Sequence, residues 1–416
     1  MRPFVIDSNV IIKKIGRPKF LLGLFLSLLG FYLALRFGPL WYLKADARVP
    51  GDFNVYWIAA ERLSQGQRIY WSTDESPFKY SPTYLYLFRY SFFFLEHRLA
   101  AALWTTLSLI TYFGALLRLG GRLLIKTDLQ RRVLAALCVG VALSWQGFLE
   151  TLSYGQVDLL LGAGILWITA STLDDSRRGT SRSSLFRVLL WALILIVKPH
   201  MLLILLPACF AFGWRECLSV LSATALMYVV PALWIGPTAL LDLFREWFLC
   251  LREQQDYIFM IGNINQSMGA VTARLSGQLS AVGTFNTLFV GLYLVLSATL
   301  FVLRRNRFGD GSKEEKLCWL AYGVSGYLLV SPLSWRWFVF LWVPLVAIMT
   351  YVDKKTLTPL LAWALLAVLT KKGVSPLLGV NFPDWVSFVG LYMWASFVLF
   401  SVAFSYLRRP SLQSVG

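Results

Sequence analysis

The hydrophobic residues of this chain occur in long blocks separated by short polar stretches. A helix needs about 20 apolar residues to cross a bilayer, and the blocks approach or exceed that length. The segment Tyr84–Leu95 is apolar and aromatic and predicts a partial or re-entrant helix. The pattern predicts an all-α integral membrane protein with about twelve spans. These spans are placed near Phe20–Leu43, Leu99–Leu119, Val133–Trp145, Val157–Leu173, Leu185–Val197, Met201–Phe212, Leu218–Ile235, Phe285–Leu303, Leu317–Val330, Phe338–Tyr351, Leu357–Thr370 and Val386–Leu407.

The overall composition supports this prediction, because 57% of the residues are hydrophobic and only 15% are charged. Soluble domains are about half apolar and about a quarter charged. Lipid forces each span to satisfy its own backbone hydrogen bonds, which favours helices. No separate soluble domain is apparent, so residues 1–416 are expected to form one membrane domain. The block Phe20–Leu43 is too long for a signal-peptide core and is expected to be a retained first span.

Lysine and arginine precede the first predicted span and recur in alternate connections, for example at Arg118 and Arg122. The intervening connection 146–156 carries neither residue. Basic residues favour the cytoplasmic side of a membrane, so the pattern predicts cytoplasmic termini. The net charge of +17 is thereby explained by topology, and nucleic acid is not an expected partner.

Two of the connections predicted to be exoplasmic are long, namely residues 44–98 and 236–284. Apolar residues recur at helical spacing in both, for example at Val55, Ile58 and Ala59 in the first. This spacing predicts helices that lie at the membrane interface.

Cysteine and histidine offer little chemistry in this chain. The five cysteines contain no CxxC pair, and we expect small core residues with no disulfide framework. The two histidines, His97 and His200, are far apart in sequence, which excludes a histidine-rich metal site. The cysteines are Cys138, Cys209, Cys217, Cys250 and Cys318.

Asp52 is the leading catalytic candidate, because it follows the first predicted span where the chain enters the interface. A carboxylate at this position can accept a proton from an attacking hydroxyl group. An aspartate that precedes an apolar helical pattern is also a good helix N-cap. Both interpretations stay open, and the two roles are compatible.

Further polar residues lie in the other predicted exoplasmic turns. Glu150, Gln156 and Asp158 fall in one of them, and Asp158 lies slightly inside an apolar block, where an acidic group is costly unless it has a partner. Lys198 and His200 interrupt two apolar blocks. Lys198 is either a snorkelling residue at the end of a span or a phosphate ligand.

Two more polar segments could bind substrate. Asn265, Gln266 and Ser267 are a dense set of hydrogen-bonding side chains of the type that contacts sugar hydroxyls. Alternatively, Ser267 caps a helix that carries Arg274 on its surface. Arg336 lies at the mouth of a predicted span, where it either snorkels or binds a phosphate with its planar guanidinium.

Taken in order, these segments resemble glycosyltransferase family 87, the polyprenyl-phosphate-sugar-dependent mannosyltransferases with a GT-C membrane fold. The resemblance covers roughly residues 20–343. The matching segments are Gly51-Asp52-Phe53-Asn54-Val55-Tyr56, Ala59-Ala60, Gly66 through Tyr70, Phe78-Lys79-Tyr80-Ser81-Pro82, Trp104, Tyr154-Gly155-Gln156-Val157-Asp158, Lys198-Pro199-His200, Asn265-Gln266-Ser267 with Arg274, and Ser331-Pro332 with Ser334-Trp335.

The resemblance implies transfer of a sugar, mannose or another hexose, from a polyprenyl phosphate to a lipid- or glycan-linked acceptor on the exoplasmic face of a bacterial inner or plasma membrane. It implies that Asp52 is the general base. Its motifs also supply Tyr56, Tyr80 and Trp335 as substrate-binding candidates. Such a lipid-phosphate donor requires no nucleotide, and we expect no cofactor and no metal.

One departure from the family pattern concerns the segment after Ser334-Trp335. The family often has a histidine there, whereas this chain has Arg336 and Trp337. A histidine role therefore cannot be transferred to this chain, and the departure leaves open whether its donor and acceptor are those of better-known members.

Other classes of membrane protein share several of these features. A lipid or glycan transporter or flippase would also have many spans, but the chain shows no convincing internal repeat. A surface-glycan ligase or polymerase would also have a long exoplasmic loop. The early aspartate favours the glycosyltransferase.

Overall fold

The computed structural model describes residues 49–123, 148, 150–174, 181–253, 261–262, 265–305, 311–332, 334, 341, 345–346, 348–349, 352 and 390–408. The predicted spans Phe20–Leu43, Val133–Trp145 and Leu357–Thr370, and most of Phe338–Tyr351, lie outside the described residues.

The described part of the chain is helical and contains no β-strand. Two single 3₁₀ turns, Pro199–Met201 and Leu279–Ala281, precede longer helices. The α-helices are α1 (Gly51–Ser64), α2 (Pro82–Phe92), α3 (His97–Leu123), α4 (Asp158–Asp174), α5 (Ser181–Val197), α6 (Leu202–Phe212), α7 (Trp214–Val229), α8 (Ala232–Ile235), α9 (Pro237–Glu253), α10 (Met268–Ser276), α11 (Val282–Arg304), α12 (Lys313–Val330) and α13 (Leu391–Arg408).

Helices occupy each predicted span that falls within the described residues. In the part of the chain that the structure describes, four helical segments are long and apolar enough to cross a membrane, namely His97–Arg122, Trp214–Ile235, Leu279–Arg304 and Leu391–Arg408. Helices α4, α5 and α6 are apolar but shorter. The all-helical membrane class is confirmed, whereas the count of twelve spans stays a prediction. Helices α1, α2 and α9 lie where the sequence predicted interfacial or partial helices.

Ion pairs distinguish one end of the helix bundle. Asp174, at the end of α4, binds Arg118 and Arg122 of α3 with N···O distances of 3.2 and 2.9 Å. Buried Arg187 of α5 donates to Glu216 of α7 at 2.7 Å. The C-terminal ends of α3 and α4 and the N-terminal ends of α5 and α7 therefore lie at this end of the bundle. The side of the membrane that it faces stays a prediction.

The expectation of no disulfide is wrong for one cysteine pair. Cys209 in α6 and Cys217 in α7 form a disulfide, with their Cα atoms 5.6 Å apart. The chain reverses at Gly213, where φ is 89°, and this reversal brings together two cysteines that lie eight positions apart. Cys250 and Cys318 are buried free thiols, as expected for small core residues.

A tight turn at Gly155 holds the start of α1 against α3 and α4. The Trp104 indole N–H donates to the Gly155 carbonyl at 2.8 Å. The Val157 N–H donates to the Tyr56 hydroxyl at 3.4 Å. Gly155 has φ of 66°, and a Cβ atom there would lie 2.7 Å from the Pro50 Cβ and 3.0 Å from the Phe53 Cβ. The turn therefore packs against the first turn of α1 without room for a side chain.

Aromatic rings pack around Tyr56, whose hydroxyl binds this turn. The Tyr56 ring contacts the rings of Tyr84, Phe88 and Trp104 at centroid distances of 5.5 to 5.8 Å. Offset and edge-to-face ring contacts each add about 0.5–1.5 kcal/mol beyond apolar burial. These contacts tie α1 to α2 and α3.

The approach to α2 is fixed by hydrogen bonds to the rest of the bundle. The Ser81 hydroxyl caps α2 by accepting from the Tyr84 N–H at 3.2 Å, and it donates to the Ile196 carbonyl of α5. The Trp247 indole of α9 donates to the Lys79 carbonyl at 2.9 Å. Lys79 and Tyr80 thereby come to lie between α1, α5 and α9.

We expect Gly155→Ala to destabilise the protein more than Gly277→Ala does. Both glycines have positive φ, of 66° and 71°, and alanine in that conformation costs about 1–2 kcal/mol. A Cβ at Gly277 meets nothing within 4 Å, so only Gly155→Ala adds a clash, worth about 1–3 kcal/mol. Thermal unfolding of the two purified variants in detergent measures the difference. Equal losses of stability would contradict the close packing of this turn.

Candidate functional site

Asp52 lies in the first turn of α1 with its side chain half-buried. The N-cap of this helix is Pro50, so the interpretation of Asp52 as the capping residue is wrong. A carboxylate in a first turn is nevertheless favoured by the positive end of the helix dipole. Asp52 is therefore left available for a role other than capping.

The environment raises the pKa of Asp52 from 3.8 to about 6. Loss of hydration is the main cause, and the charge of Asp158 adds to it. A hydrogen bond from Gln156 and the charges of Lys198 and Lys79 act in the opposite direction. Near neutral pH, Asp52 is therefore a carboxylate whose basicity is well matched to accepting a proton.

Asp158 and Lys198 form the ion pair closest to Asp52. The Lys198 Nζ donates to the Asp158 Oδ1 at 2.6 Å, and the side chains are 12% and 1% exposed. Asp158 begins α4 and Lys198 follows α5, so the pair joins two helices at the same end. Asp158 thus has the partner that its buried position requires.

Two tyrosines adjoin this pair. The hydroxyl groups of Tyr56 and Tyr80 are 3.0 Å apart, and the Tyr70 hydroxyl donates to the Tyr80 carbonyl at 3.0 Å. Burial raises the pKa of both Tyr56 and Tyr80 well above the ordinary value. Their hydroxyl groups therefore stay protonated and can donate hydrogen bonds.

His200 connects the turn after α5 to α12. Its Nε2 lies 3.0 Å from the Tyr327 hydroxyl, and the two rings stack with centroids 5.7 Å apart. The His200 side chain is exposed, whereas Tyr327 is buried.

The segment from Asn265 to Arg274 is anchored by hydrogen bonds to neighbouring backbone, and its role in substrate binding stays a prediction. The Asn265 amide donates to the Pro332 carbonyl at 2.7 Å, and its Oδ1 accepts from the Ser267 and Ser334 N–H groups. The Gln266 N–H donates to the Ser334 carbonyl at 2.6 Å. These bonds fasten the segment to the chain just after α12.

Ser267 and Arg274 complete this arrangement. Ser267 caps α10 by accepting from the Ala270 N–H at 3.2 Å, which confirms the capped-helix interpretation. The Arg274 guanidinium donates to the carbonyls of Ile261, Gly262 and Asn265. Arg274 is only 6% exposed, so its expected position on the helix surface is wrong.

The remaining predicted site residues are Glu150, Trp335 and Arg336. Glu150 is half-buried in the helical stretch that precedes Gly155. Trp335 and Arg336 lie outside the described residues. Among the residues that the structure describes, no group of three or more His, Cys, Asp or Glu side chains could hold a metal ion.

Three residues that contact the candidate residues or act on them were not themselves among the candidates. Lys79 contributes a positive charge near Asp52, and its position next to Tyr80 in the Phe78–Pro82 motif was the available signal. The Tyr84 ring packs at a tilt against the Tyr80 ring, with the ring centroids 5.0 Å apart. Tyr327 binds His200, but it lies inside an apolar block, and no sequence pattern marked it.

An apolar cavity of about 230 Å³ lies between α2, α3, α4 and α5. Three of its lining residues, Tyr84, Val157 and Val197, neighbour the polar site, because Val157 precedes Asp158 and Val197 precedes Lys198. The site therefore has a charged side near Asp52 and an apolar side within the bundle. The other lining residues are Leu87, Phe88, Ser91, Phe92, Trp104, Leu160, Leu161, Gly164, Leu190, Leu193 and Ile194.

We expect Asp52→Asn to stabilise the protein at pH 7. Between pH 3.8 and about 6 the folded protein binds more protons at Asp52 than the unfolded chain does, so the free energy of unfolding falls as the pH rises. The variant avoids this loss and should gain about 1–3 kcal/mol at pH 7 and nothing near pH 4. Unfolding in detergent at both pH values measures the gain, with the surface variant Asp242→Asn as control. A variant less stable than wild type at pH 7 would contradict the desolvation of Asp52.

Comparison with known proteins identifies the family. The model of glycosyltransferase family 87 matches residues 78–332, from the Lys79–Tyr80 segment to the end of α12. Asp52 lies before the matched range. No curated protein and no solved structure matches the chain. The match extends over most of the bundle that holds the site, and the chain belongs to glycosyltransferase family 87.

Proposed function

We propose that this glycosyltransferase moves a hexose, mannose or another, from a polyprenyl-phosphate donor to a lipid- or glycan-linked acceptor, with Asp52 as the general base. The observation that carries the proposal is a carboxylate with a pKa of about 6 that lies beside two lysines and next to an apolar cavity. Family membership favours this enzyme over the transporter and over the ligase or polymerase.

The reaction is a single displacement at the anomeric carbon. Asp52 takes the proton of the acceptor hydroxyl, and the acceptor oxygen forms a bond to the anomeric carbon. The bond from that carbon to the phosphate oxygen breaks, and its electron pair leaves with the polyprenyl phosphate. Attack from the opposite side inverts the anomeric configuration. A positioned general base contributes about 10²- to 10⁴-fold in rate.

Lys198 and Lys79 are the residues we assign to the departing phosphate. Both positive charges act on Asp52, which places them near the reacting groups. An ammonium group binds phosphate as a point charge and stabilises charge that develops on the leaving group. Arg274 takes no part in this step, because its guanidinium donates to three backbone carbonyls.

The apolar cavity offers a place for a lipid chain. Its lining is hydrocarbon and aromatic apart from the Ser91 and Tyr84 hydroxyls, and it lies between helices rather than at the polar end. A phosphate near Lys198 would have its first isoprene units near Val197. This arrangement suits a substrate with a charged head group and an apolar tail.

The location of the reaction follows from the Lys/Arg pattern. The ion-paired arginines Arg118, Arg122 and Arg187 lie at the end of the bundle opposite Asp52. The positive-inside rule then gives an exoplasmic active site and cytoplasmic termini, in a bacterial inner or plasma membrane. The reaction as written uses neither a nucleotide nor a metal.

We expect Asp52→Asn to lower transfer by about 10²- to 10⁴-fold, because asparagine cannot accept the proton. The assay uses purified protein, radiolabelled polyprenyl-phosphate hexoses and a membrane lipid extract. Wild-type kcat/KM should rise with pH and level off above a pH of about 6. Asp242→Asn on the surface of α9 is the matched control. Near-normal transfer by folded Asp52→Asn would refute the assignment of Asp52.

Lys79→Met should affect both donor binding and the pH profile. Loss of a charge-assisted contact to phosphate should raise KM for the donor about 10- to 100-fold. Loss of the positive charge should also raise the pKa of Asp52, so the rising limb of kcat/KM should move to higher pH. Lys313→Met, at the start of α12, is the control and should change neither quantity. An unchanged pH profile would show that Lys79 does not act on the base.

A further inference from the structure

Three buried polar atoms beside Asp52 have no hydrogen-bond partner within the described part of the chain. They are the Tyr84 hydroxyl, the Gln156 Oε1 and the Asp158 Oδ2. Tyr84 and Asp158 are only 5% and 1% exposed. Burying a polar group without a hydrogen-bond partner destabilises the folded state, so three such groups close together call for an explanation.

The three atoms belong to groups that lie close together. Gln156 and Asp158 are two residues apart in the turn that holds α1, and Gln156 hydrogen-bonds Asp52. The Tyr84 ring packs on Tyr80 at 5.0 Å and on Tyr56 at 5.5 Å. Tyr56 in turn accepts from the N–H of Val157, between Gln156 and Asp158. The orphaned atoms thus surround the boundary between the carboxylate and the apolar cavity.

The other polar atoms of Asp158 and Gln156 already make hydrogen bonds. The Asp158 Oδ1 accepts from Lys198 at 2.6 Å, and Gln156 engages Asp52, so neither side chain can turn away without breaking a bond. Among the described residues other buried atoms also lack a hydrogen-bond partner, such as the Trp191 Nε1 on α5, but an indole N–H only donates and would not accept from a sugar hydroxyl.

The donor and acceptor character of these atoms indicates the ligand. Two of them only accept hydrogen bonds, and the tyrosine hydroxyl can donate. An anionic group would be repelled by Asp52 and Asp158, and an apolar group would leave all three unsatisfied. A neutral group with adjacent hydroxyls satisfies them, because each hydroxyl both donates and accepts.

We infer that Tyr84, Gln156 and Asp158 form a subsite for adjacent hydroxyl groups of the transferred hexose, in which Gln156 Oε1 and Asp158 Oδ2 accept and the Tyr84 hydroxyl donates. This inference rests on the proposed function and makes the three residues determinants of sugar specificity. A site built to bind a hydroxyl strongly rejects the analogue that lacks it, since its own polar atoms are then left unpaired.

Stability provides a test that needs no substrate. Tyr84→Phe removes a hydroxyl that has no hydrogen-bond partner among the described residues, so unfolding of the ligand-free protein should be unchanged or occur at higher temperature. Tyr56→Phe removes a hydroxyl bonded to Tyr80 and Val157 and should lower the unfolding temperature. If Tyr84→Phe is destabilised as much as Tyr56→Phe, the hydroxyl is satisfied within the protein and the inference is overturned.

Transfer kinetics provide the decisive test. The hexose that wild type transfers is compared with its 2-, 3-, 4- and 6-deoxy forms on the same polyprenyl phosphate, for wild type, Tyr84→Phe and the control Tyr86→Phe on the same helix. We expect wild-type kcat/KM to fall roughly 10- to 100-fold for the analogues that lack the bound hydroxyls. For Tyr84→Phe, kcat/KM with the complete hexose should fall about 5- to 30-fold. It should fall little further with the one analogue that lacks the hydroxyl bound by Tyr84.

The possible outcomes distinguish failure of the sugar subsite from failure of the proposed function. A loss by Tyr84→Phe that is equal for the hexose and all four deoxy analogues, or no loss at all, overturns the subsite while leaving the proposed function intact. Tyr86→Phe should behave as wild type with every donor. A wild-type protein that transfers none of the polyprenyl-phosphate hexoses contradicts the proposed function and the subsite together.

Discussion

The packing of the Gly155 turn against the first turn of α1 is the contact on which the site depends. Because residue 155 has no side chain, the turn approaches Pro50 and Phe53 closely enough for Gln156 to reach Asp52. Trp104 and Tyr56 hold the same turn by hydrogen bonds from the two sides. A shift of this turn would move Gln156 and Asp158 together, since both follow it directly. The position of the carboxylate and the polarity around it are thus set by one backbone contact.

The electrostatics of Asp52 are a balance of opposing effects. Removal from water disfavours the ionised carboxylate, and Asp158 adds repulsion. Gln156, Lys198 and Lys79 favour the ionised form without outweighing the loss of hydration. A larger lowering effect from these three residues would give Asp52 a low pKa and make it a weak base. A smaller effect would leave Asp52 protonated at neutral pH. The two lysines therefore limit how far burial raises the pKa of Asp52.

Much of the fold could be predicted from the sequence, but less of the site. Long apolar blocks located α3, α11 and α13, because a membrane span leaves a strong hydrophobic signal. The Gly51–Tyr56 motif identified Asp52. The pairing of Asp158 with Lys198 could not be predicted, since the residues lie 40 positions apart on different helices. The sequence located the polar residues but did not reveal which residues they contact.

The failures have physical causes of the same kind. Arg274 was expected at a surface because arginine is seldom buried, but three backbone carbonyls of the preceding loop satisfy it. The Cys209–Cys217 disulfide depends on a reversal at Gly213 that no cysteine spacing reveals. Tyr327 carries no signal because a tyrosine within an apolar block is indistinguishable from a core residue. In each case a tertiary contact decided the role of the side chain.

The carboxylates at the two ends of the bundle differ in how many of their oxygens are bound by basic side chains. At the arginine-rich end, Asp174 has two arginine partners and Glu216 is bound by Arg187 through both carboxylate oxygens. At the other end, Asp158 uses one oxygen for Lys198 and leaves the second without a partner in the described chain. A fully satisfied carboxylate holds helices together but cannot bind a substrate. The incomplete satisfaction of Asp158, beside an Asp52 whose pKa is raised by burial, fits the proposed substrate site better than a purely structural ion pair does.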